Sequence, residues 1–491
     1  MEKNNQKYQA MNVVWLKRDL RTQDHEPLHY AEQQKDDYII IYAFEPSLIN
    51  YPDTSLRHLQ FIYHSIINMN QTLEKFNRKI MVFHEEIMQV FELLSKQFKI
   101  KKVYSYQESG IMQSWNRDQS LLKFFKKKKI KWIEHQQNGV IRGIKNRNDW
   151  DRKWFLKMNE PIIQNKFSKY IGPVIQNKKP LKGELFDQMK EYPSSFQKAG
   201  EENGWKYLKS FCKSRVANYN LHISKPEQSR KSCGRISPYL SWGNISLKQA
   251  YQFTKKQKSL GFNKRQFASM MTRLKWHSHF TQKFEQDCEY EYKCLNPGFE
   301  SLKKTNDPKI IEAWKKGKTG IPLVDACMRC LKETGWINFR MRAMLVSVFC
   351  HQLDCDWRKG AHFLANLFLD YQPGIHYPQF QMQAGTTGIN TIRMYNPIKQ
   401  SFDHDPNGVF IKKWVPELKE LPVNFIHKPW EITEMELKMM QLNIDYPNPV
   451  IDIDTAGKKA RNKIWKHKAL EIVKRENRKI VLKHTRNNGN Q

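Results

Sequence analysis

Three short clusters combine residue types that do chemistry at spacings that bring them together. The run Ser232-Cys233-Gly234-Arg235-Ile236-Ser237-Pro238 is a small-residue turn followed by proline at a helix start, so it offers free backbone N–H groups and a cation. Such a turn suits a phosphate, and turns of this kind also cap helices that hold no ligand. In Asn338-Phe339-Arg340-Met341-Arg342, two arginines stand two residues apart in an otherwise apolar helical pattern, and buried cations need partners. Asp370, closing a separate apolar helix, is the partner assigned to Arg340, a pairing that serves structure as readily as a ligand. Arg273, Trp276, His277 and His279 set cationic and aromatic groups at one-turn spacing. That fits stacking on a base or, equally, a helix packed through its tryptophan.

These clusters need a scaffold, and the hydrophobic pattern supplies two kinds. Short apolar runs at 13–16, 38–44, 80–83, 102–106 and 131–135 read as buried strands alternating with helices, which implies a doubly wound parallel sheet over 11–137. One of those helices uses Leu56, Leu59, Tyr63, Ile66 and Leu73 along one face, and another uses Ile87, Val90, Phe91 and Leu94. No G-x-G-x-x-G follows the first strand, which argues against a nicotinamide dinucleotide site of the usual kind. Proline and glycine then break the pattern over 138–205, an interdomain connection expected to pack over the surface. From 206 to 455 the signals are helical, with Pro322 at one helix start and Gly335 just past its end. The fold class is therefore α/β followed by a large all-α domain.

The chain has 491 residues and a net charge of +34, an excess of cations that points to a polyanion partner, nucleic acid first. Residues 456–491 hold twelve lysines or arginines against two glutamates and read as a helical extension fading into a disordered basic tail. Eight cysteines without a disulfide-framework spacing suggest a reducing compartment, and the Cys327/Cys330 pair falls in a helical core pattern, so no metal is assigned. The start of the chain is polar and no apolar run reaches transmembrane length, so the expectation is a soluble, cytoplasmic monomer that meets no membrane.

In sequence order, the clusters resemble one family. Thr319-Gly320-Ile321-Pro322-Leu323-Val324-Asp325-Ala326-Cys327-Met328-Arg329 followed by Thr334-Gly335-Trp336 is similar to the T-G-x-P-x-V-D-A-x-M-R and T-G-W/Y signature of photolyases and cryptochromes. The resemblance continues in Val13-Val14-Trp15-Leu16-Lys17-Arg18-Asp19-Leu20-Arg21, in Ile236-Ser237-Pro238-Tyr239-Leu240, in Asp356-Trp357-Arg358 and in Arg393-Met394-Tyr395-Asn396-Pro397.

That resemblance implies FAD in the helical domain, with its pyrophosphate at Ser232, Cys233, Gly234, Arg235, Ile236 and Ser237, and with Arg340, Asp370 and Gln372 near the flavin. It also implies an antenna pigment of folate or deazaflavin type in the first domain, whose identity stays open. His376 falls where the neighbour of flavin N5 is expected and could supply a proton to the ring. DNA photolyases flip a pyrimidine dimer into a cavity over the flavin, and light drives an electron to the dimer and back. Residues matching the DNA and substrate contacts are Lys225, Arg273, Trp276, His277, Arg342, Met382 and Arg393. Several positions depart from known members. Arg273 stands where one photolyase class has a carboxylate, Phe339 where it has Asn, Ala343 where it has Met and Met382 where it has a cavity Trp. Of the electron-transfer tryptophans only the middle one matches, Trp357, while the inner falls on Phe380 and the outer on Lys304, so Tyr371 or Tyr377 is the substitute route. The resemblance thus supports a deoxyribodipyrimidine photolyase and, alternatively, a cryptochrome-like blue-light photoreceptor that binds nucleic acid or a partner without repair.

Overall fold

The computed structural model describes residues 9–173 and 175–485. Five strands, β1 (Ala10–Trp15), β2 (Tyr38–Ala43), β3 (Ile80–Phe83), β4 (Lys99–Tyr106) and β5 (Lys131–His135), form one all-parallel sheet in the order β3-β2-β1-β4-β5. Each connection carries a helix: α1 (Glu26–Glu32), α2 (Leu56–Leu73), α3 (Ile87–Ser95) and α4 (Met112–Lys128). Because side chains alternate along a strand, each buried strand feeds two cores. Val14, Ile40, Ile80 and Tyr104 pack with Leu59, Ile62 and Ile66 of α2 on one face. Val13, Ile39, Ile41 and Val103 pack with Val90 and Phe91 of α3 and Phe125 of α4 on the other. This split explains why the strands read as continuous apolar runs.

The chain moves outward from β1 to β3 and then returns to β4, so the carboxyl ends of β1 and β4 diverge and open a crevice between them. The helical region closes on this crevice. Arg18, just past β1, donates from Nη1 to the Tyr371 carbonyl (2.8 Å) and lies 4.2 Å from the Trp242 ring. Gly243 meets the same loop so closely that a Cβ there would lie 2.3 Å from the Arg18 carbonyl oxygen. Between the two halves runs a cleft of about 110 Å³ whose lining includes Lys17, Arg18, Glu108 and Arg117.

The connection over 138–205 packs against its neighbours. Trp150 and Trp154 are buried, and their indole N–H groups donate to Gln282 Oε1 (3.0 Å) and Ser278 Oγ (2.8 Å). The helices that position the site are α5 (Pro226–Ser232), α6 (Ser237–Ser241), α7 (Lys264–Gln286), α8 (Pro322–Thr334), α9 (Phe339–Cys350), α10 (Trp357–Leu367) and α11 (Pro373–Ala384). Two more, α12 (Ile453–Lys468) and α13 (Glu471–His484), end the described chain. The disordered tail expected from the sequence falls on residues 486–491, outside the described residues. Among the described residues no helix is long and apolar enough to cross a membrane.

The signature around α8 has a physical explanation. Asp325, in the first turn, is fully buried and accepts from the Thr319 backbone N–H (2.9 Å), the Thr319 hydroxyl (2.7 Å), the Gly320 N–H (3.0 Å) and the Tyr446 hydroxyl (2.6 Å). One carboxylate thus satisfies donors that the turn would otherwise leave orphaned at a helix N-terminus. Gly335 ends the helix at φ 67°, the left-handed cap that glycine adopts without strain. Cys327 and Cys330 are buried thiols within this helix, in keeping with their core spacing.

Candidate functional site

The turn between α5 and α6 is built as an anion cradle. Arg235 is left-handed (φ 56°) and Ile236 right-handed (φ −93°, ψ 0°), a succession that points consecutive N–H groups into one concavity. The backbone N–H groups of Gly234, Arg235, Ile236 and Ser237 find no acceptor among the described residues. Arg215 fixes the cradle from behind by donating to the carbonyls of Lys231 (3.0 Å), Cys233 and Gly234 (3.4 Å). Arg230 and Arg235 adjoin it, and neither has an ion-pair partner among the described residues. Arg235 stacks 4.0 Å from the Trp336 ring, is steadied by Gln197 Oε1 (3.0 Å), and burial beside Arg230 lowers its pKa to about 10. Half-buried cations without an ion-pair partner, beside an open row of amides, fit a diphosphate.

Helix α7 passes over this turn: a Cβ on Gly234 would lie 3.3 Å from Met270. Farther along, α7 crosses α11 so closely that a Cβ on Gly374 would lie 2.9 Å from Thr281. Here the His277 ring faces the Gln372 amide, yet both its ring nitrogens and Gln372 Oε1 are buried without a hydrogen-bond partner. Burial lowers the His277 pKa to about 4, so the ring is neutral. Buried orphan polar atoms await a partner, and a flavin edge has donors and acceptors to match. The His277 ring nitrogens are thus enclosed, while the residue as a whole is half-buried.

The ion pair at this site differs from the sequence assignment. Asp370, whose carboxylate is 3% exposed, receives both ends of the Arg342 guanidinium (Nη1 to Oδ1, 2.9 Å; Nη2 to Oδ2, 2.8 Å). Arg340 instead places Nε 3.5 Å from Ser224 Oγ and its guanidinium 5.7 Å from the Tyr395 ring. Two residues along a helix is about 200° of rotation, so only one arginine can face Asp370. This corrects Arg340 as the partner of Asp370, and Arg342 gives its remaining Nε donor to the Ile337 carbonyl (2.9 Å).

His376 projects from the first turn of α11 into a ring of aromatics, with Tyr371 and Tyr377 centroids both 5.4 Å away. Nε2 lies 2.9 Å from the Ala361 carbonyl and is the donor in that bond, and burial takes the pKa from its usual 6.5 to about 4. A neutral ring with that proton engaged is a poor acid, unlike the donor role expected of it. The sign of its pH effect follows: the unfolded chain binds the proton more readily, so His376 leaves stability intact above about pH 6.5 and removes it as pH falls toward 4. His376→Asn is expected to flatten the stability profile in that window by up to about 1.4 kcal/mol per pH unit, with no change of slope near pH 8, read by urea unfolding at a series of pH values.

Trp357 is buried and its ring lies 6.4 Å from Phe380, but the next position holds Lys304, whose ammonium donates to the Cys350 carbonyl (2.6 Å). Tyr371 donates its hydroxyl to Asp53, and Tyr377 stacks on Phe284 with centroids 5.9 Å apart.

Toward solvent the site presents aromatic and basic groups. Trp276 is 43% exposed with the Arg273 guanidinium 4.4 Å from its ring, and Phe339 is 45% exposed at the start of α9. Asn338 ties that helix end to α5 through Ser229 Oγ (3.1 Å), so both aromatics stand on helices flanking the cradle. Arg393 is exposed, while Lys225 and Met382 are half-buried. Arg215 and Arg230 were not singled out by sequence; the spacing of Arg230 five residues before Arg235 was the available signal.

Comparison with known proteins agrees with this geometry. The family model described as DNA photolyase matches residues 12–147, and the FAD binding domain of DNA photolyase matches residues 270–466. A deoxyribodipyrimidine photo-lyase from Buchnera aphidicola is 29% identical, covering 94% of this chain and 98% of its own. A cryptochrome DASH from Synechocystis is 26% identical, covering 92% and 97%. The crystal structure of a bacterial class III photolyase from Agrobacterium tumefaciens superposes with a TM-score of 0.83 at 21% identity, covering 96% of this chain and all of that one, a likeness of fold. With the cradle, the buried orphan atoms and the Arg342–Asp370 pair fitting the cofactor, the chain belongs to the photolyase/cryptochrome family and binds FAD in its helical domain.

Proposed function

We propose that this protein is a blue-light-driven DNA photolyase that repairs pyrimidine dimers. The observation that carries the reading is the exposed Arg273–Trp276 stack on α7, with Phe339 likewise exposed at the start of α9, the two helices that adjoin the anion cradle through Met270 and Asn338. FAD, when bound, supplies the light-driven electron transfer. The chain's own part is to bind, orient and exclude water. Trp276 and Phe339 offer flat apolar faces to an extruded dimer of two adjacent pyrimidines of one strand, while Arg273 contributes positive charge beside the backbone. Arg342, held in place by both Asp370 oxygens, would keep its guanidinium oriented beside the flavin. Known members of one photolyase class meet the dimer with a carboxylate and an amide; Arg273 and Phe339 at those positions imply recognition through stacking and charge.

Trp276→Ala is expected to weaken binding of a dimer-bearing oligonucleotide about tenfold or more, from the loss of about 1–3 kcal/mol of stacking. The check is fluorescence titration with dimer-bearing and undamaged strands of one sequence. Equal affinity of the wild type for both strands would remove the basis for repair. It would favour the second reading, a photoreceptor, which the similarity to cryptochrome DASH and the missing dimer carboxylate support.

A further inference from the structure

Helix α12 carries Lys458, Arg461, Trp465 and Lys468 at i, i+3, i+7 and i+10, which places them along one side. That side lies against the segment 390–396. At one end Lys468 Nζ is 3.5 Å from the Asn390 carbonyl, and at the other Asn396 Nδ2 donates to Asp454 Oδ1 at 3.5 Å. Asp454 is the one acidic residue on the stripe. Trp465 is 49% exposed and has the Lys468 ammonium 5.2 Å from its ring.

The segment 390–396 continues this surface toward α9 and the start of α5. It carries exposed Arg393, and its Tyr395 lies under the Arg340 guanidinium, which in turn reaches Ser224 beside Lys225. Lys225, Arg340, Arg393, Lys458, Arg461 and Lys468 therefore form a continuous basic band, and none of them has an ion-pair partner among the described residues. The Arg340 side chain, excluded from Asp370, belongs to this band. A row of uncompensated cations with an interleaved tryptophan is costly in self-repulsion unless a polyanion covers it.

We propose that α12 is a second nucleic-acid contact, along which the duplex flanking the flipped nucleotides lays its phosphates. This rests on the reading of DNA as the partner and extends it. Sixteen residues of helix span about 24 Å, the length of roughly seven base pairs, so the contact needs a duplex that continues past the pocket.

The test is equilibrium binding of undamaged duplex across a salt series, using the full-length flavoprotein and the triple variant K458Q/R461Q/K468Q. Each lost phosphate contact is expected to lower the slope of log affinity against log salt by about 0.9, so the variant should lose about 2–3 units of slope. The loss should appear with a duplex extending about ten base pairs beyond the pocket and vanish with one too short to reach α12. The charge-preserving K458R/R461K/K468R should restore the slope, which separates charge from folding. An unchanged slope in the first variant, with the wild type still binding steeply, overturns the proposal alone. A wild type that binds no duplex overturns it together with the reading beneath it. A loss confined to anionic phospholipid vesicles, with DNA binding intact, overturns it in favour of a membrane surface.

Discussion

Replacing Arg342 by alanine is expected to cost about 3 kcal/mol of folding stability and most of the bound flavin, whereas Arg340→Ala should cost less than about 1 kcal/mol and retain it. The difference arises from what each change leaves behind. Asp370 is 3% exposed and depends on both Arg342 contacts, so removing the guanidinium strands a buried carboxylate. Removing Arg340 strands nothing, because its neighbours are a serine hydroxyl and a tyrosine face. Denaturant unfolding, with flavin absorbance measured on the same preparations, reads both effects. Equal losses in the two variants would contradict the assignment of the pair.

A comparable loss, about 3 kcal/mol, is expected for Gly320→Ala. Gly320 has φ 74°, and an added Cβ would sit 2.3 Å from the Asn448 carbonyl oxygen, backbone that cannot swing aside as a side chain can. The same turn hands two N–H groups and a hydroxyl to Asp325, so displacing it also disturbs the buried carboxylate at the start of α8. Thermal unfolding should show a large drop in midpoint for Gly320→Ala and almost none for Gly457→Ala, where a Cβ meets open space.

Much of the architecture was legible because it depends on local rules. The strands at 80–83 and 131–135 appear with the bounds their apolar runs give, and α8 begins at Pro322 and stops before Gly335 as its end signals require. The turn at 232–238 was legible for a similar reason: small residues before a proline fix the backbone locally. The partner of Asp370 was not, since choosing between Arg340 and Arg342 requires knowing which side of α9 faces the 370 segment, and the hydrophobic pattern of that nearly all-buried helix marks no side. The enclosure of the His277 ring nitrogens was not legible either, because it depends on α11 crossing α7, a contact between residues far apart in sequence. The basic C-terminal residues were visible as charge, but their alignment along 390–396 depends on tertiary packing.

The central claim is most directly tested by reducing the purified flavoprotein without oxygen, adding an oligonucleotide with one defined pyrimidine dimer, and following loss of the dimer under blue light beside a dark control. The account predicts restoration in the light alone. No restoration from a protein that holds its flavin and binds the damaged strand would contradict it.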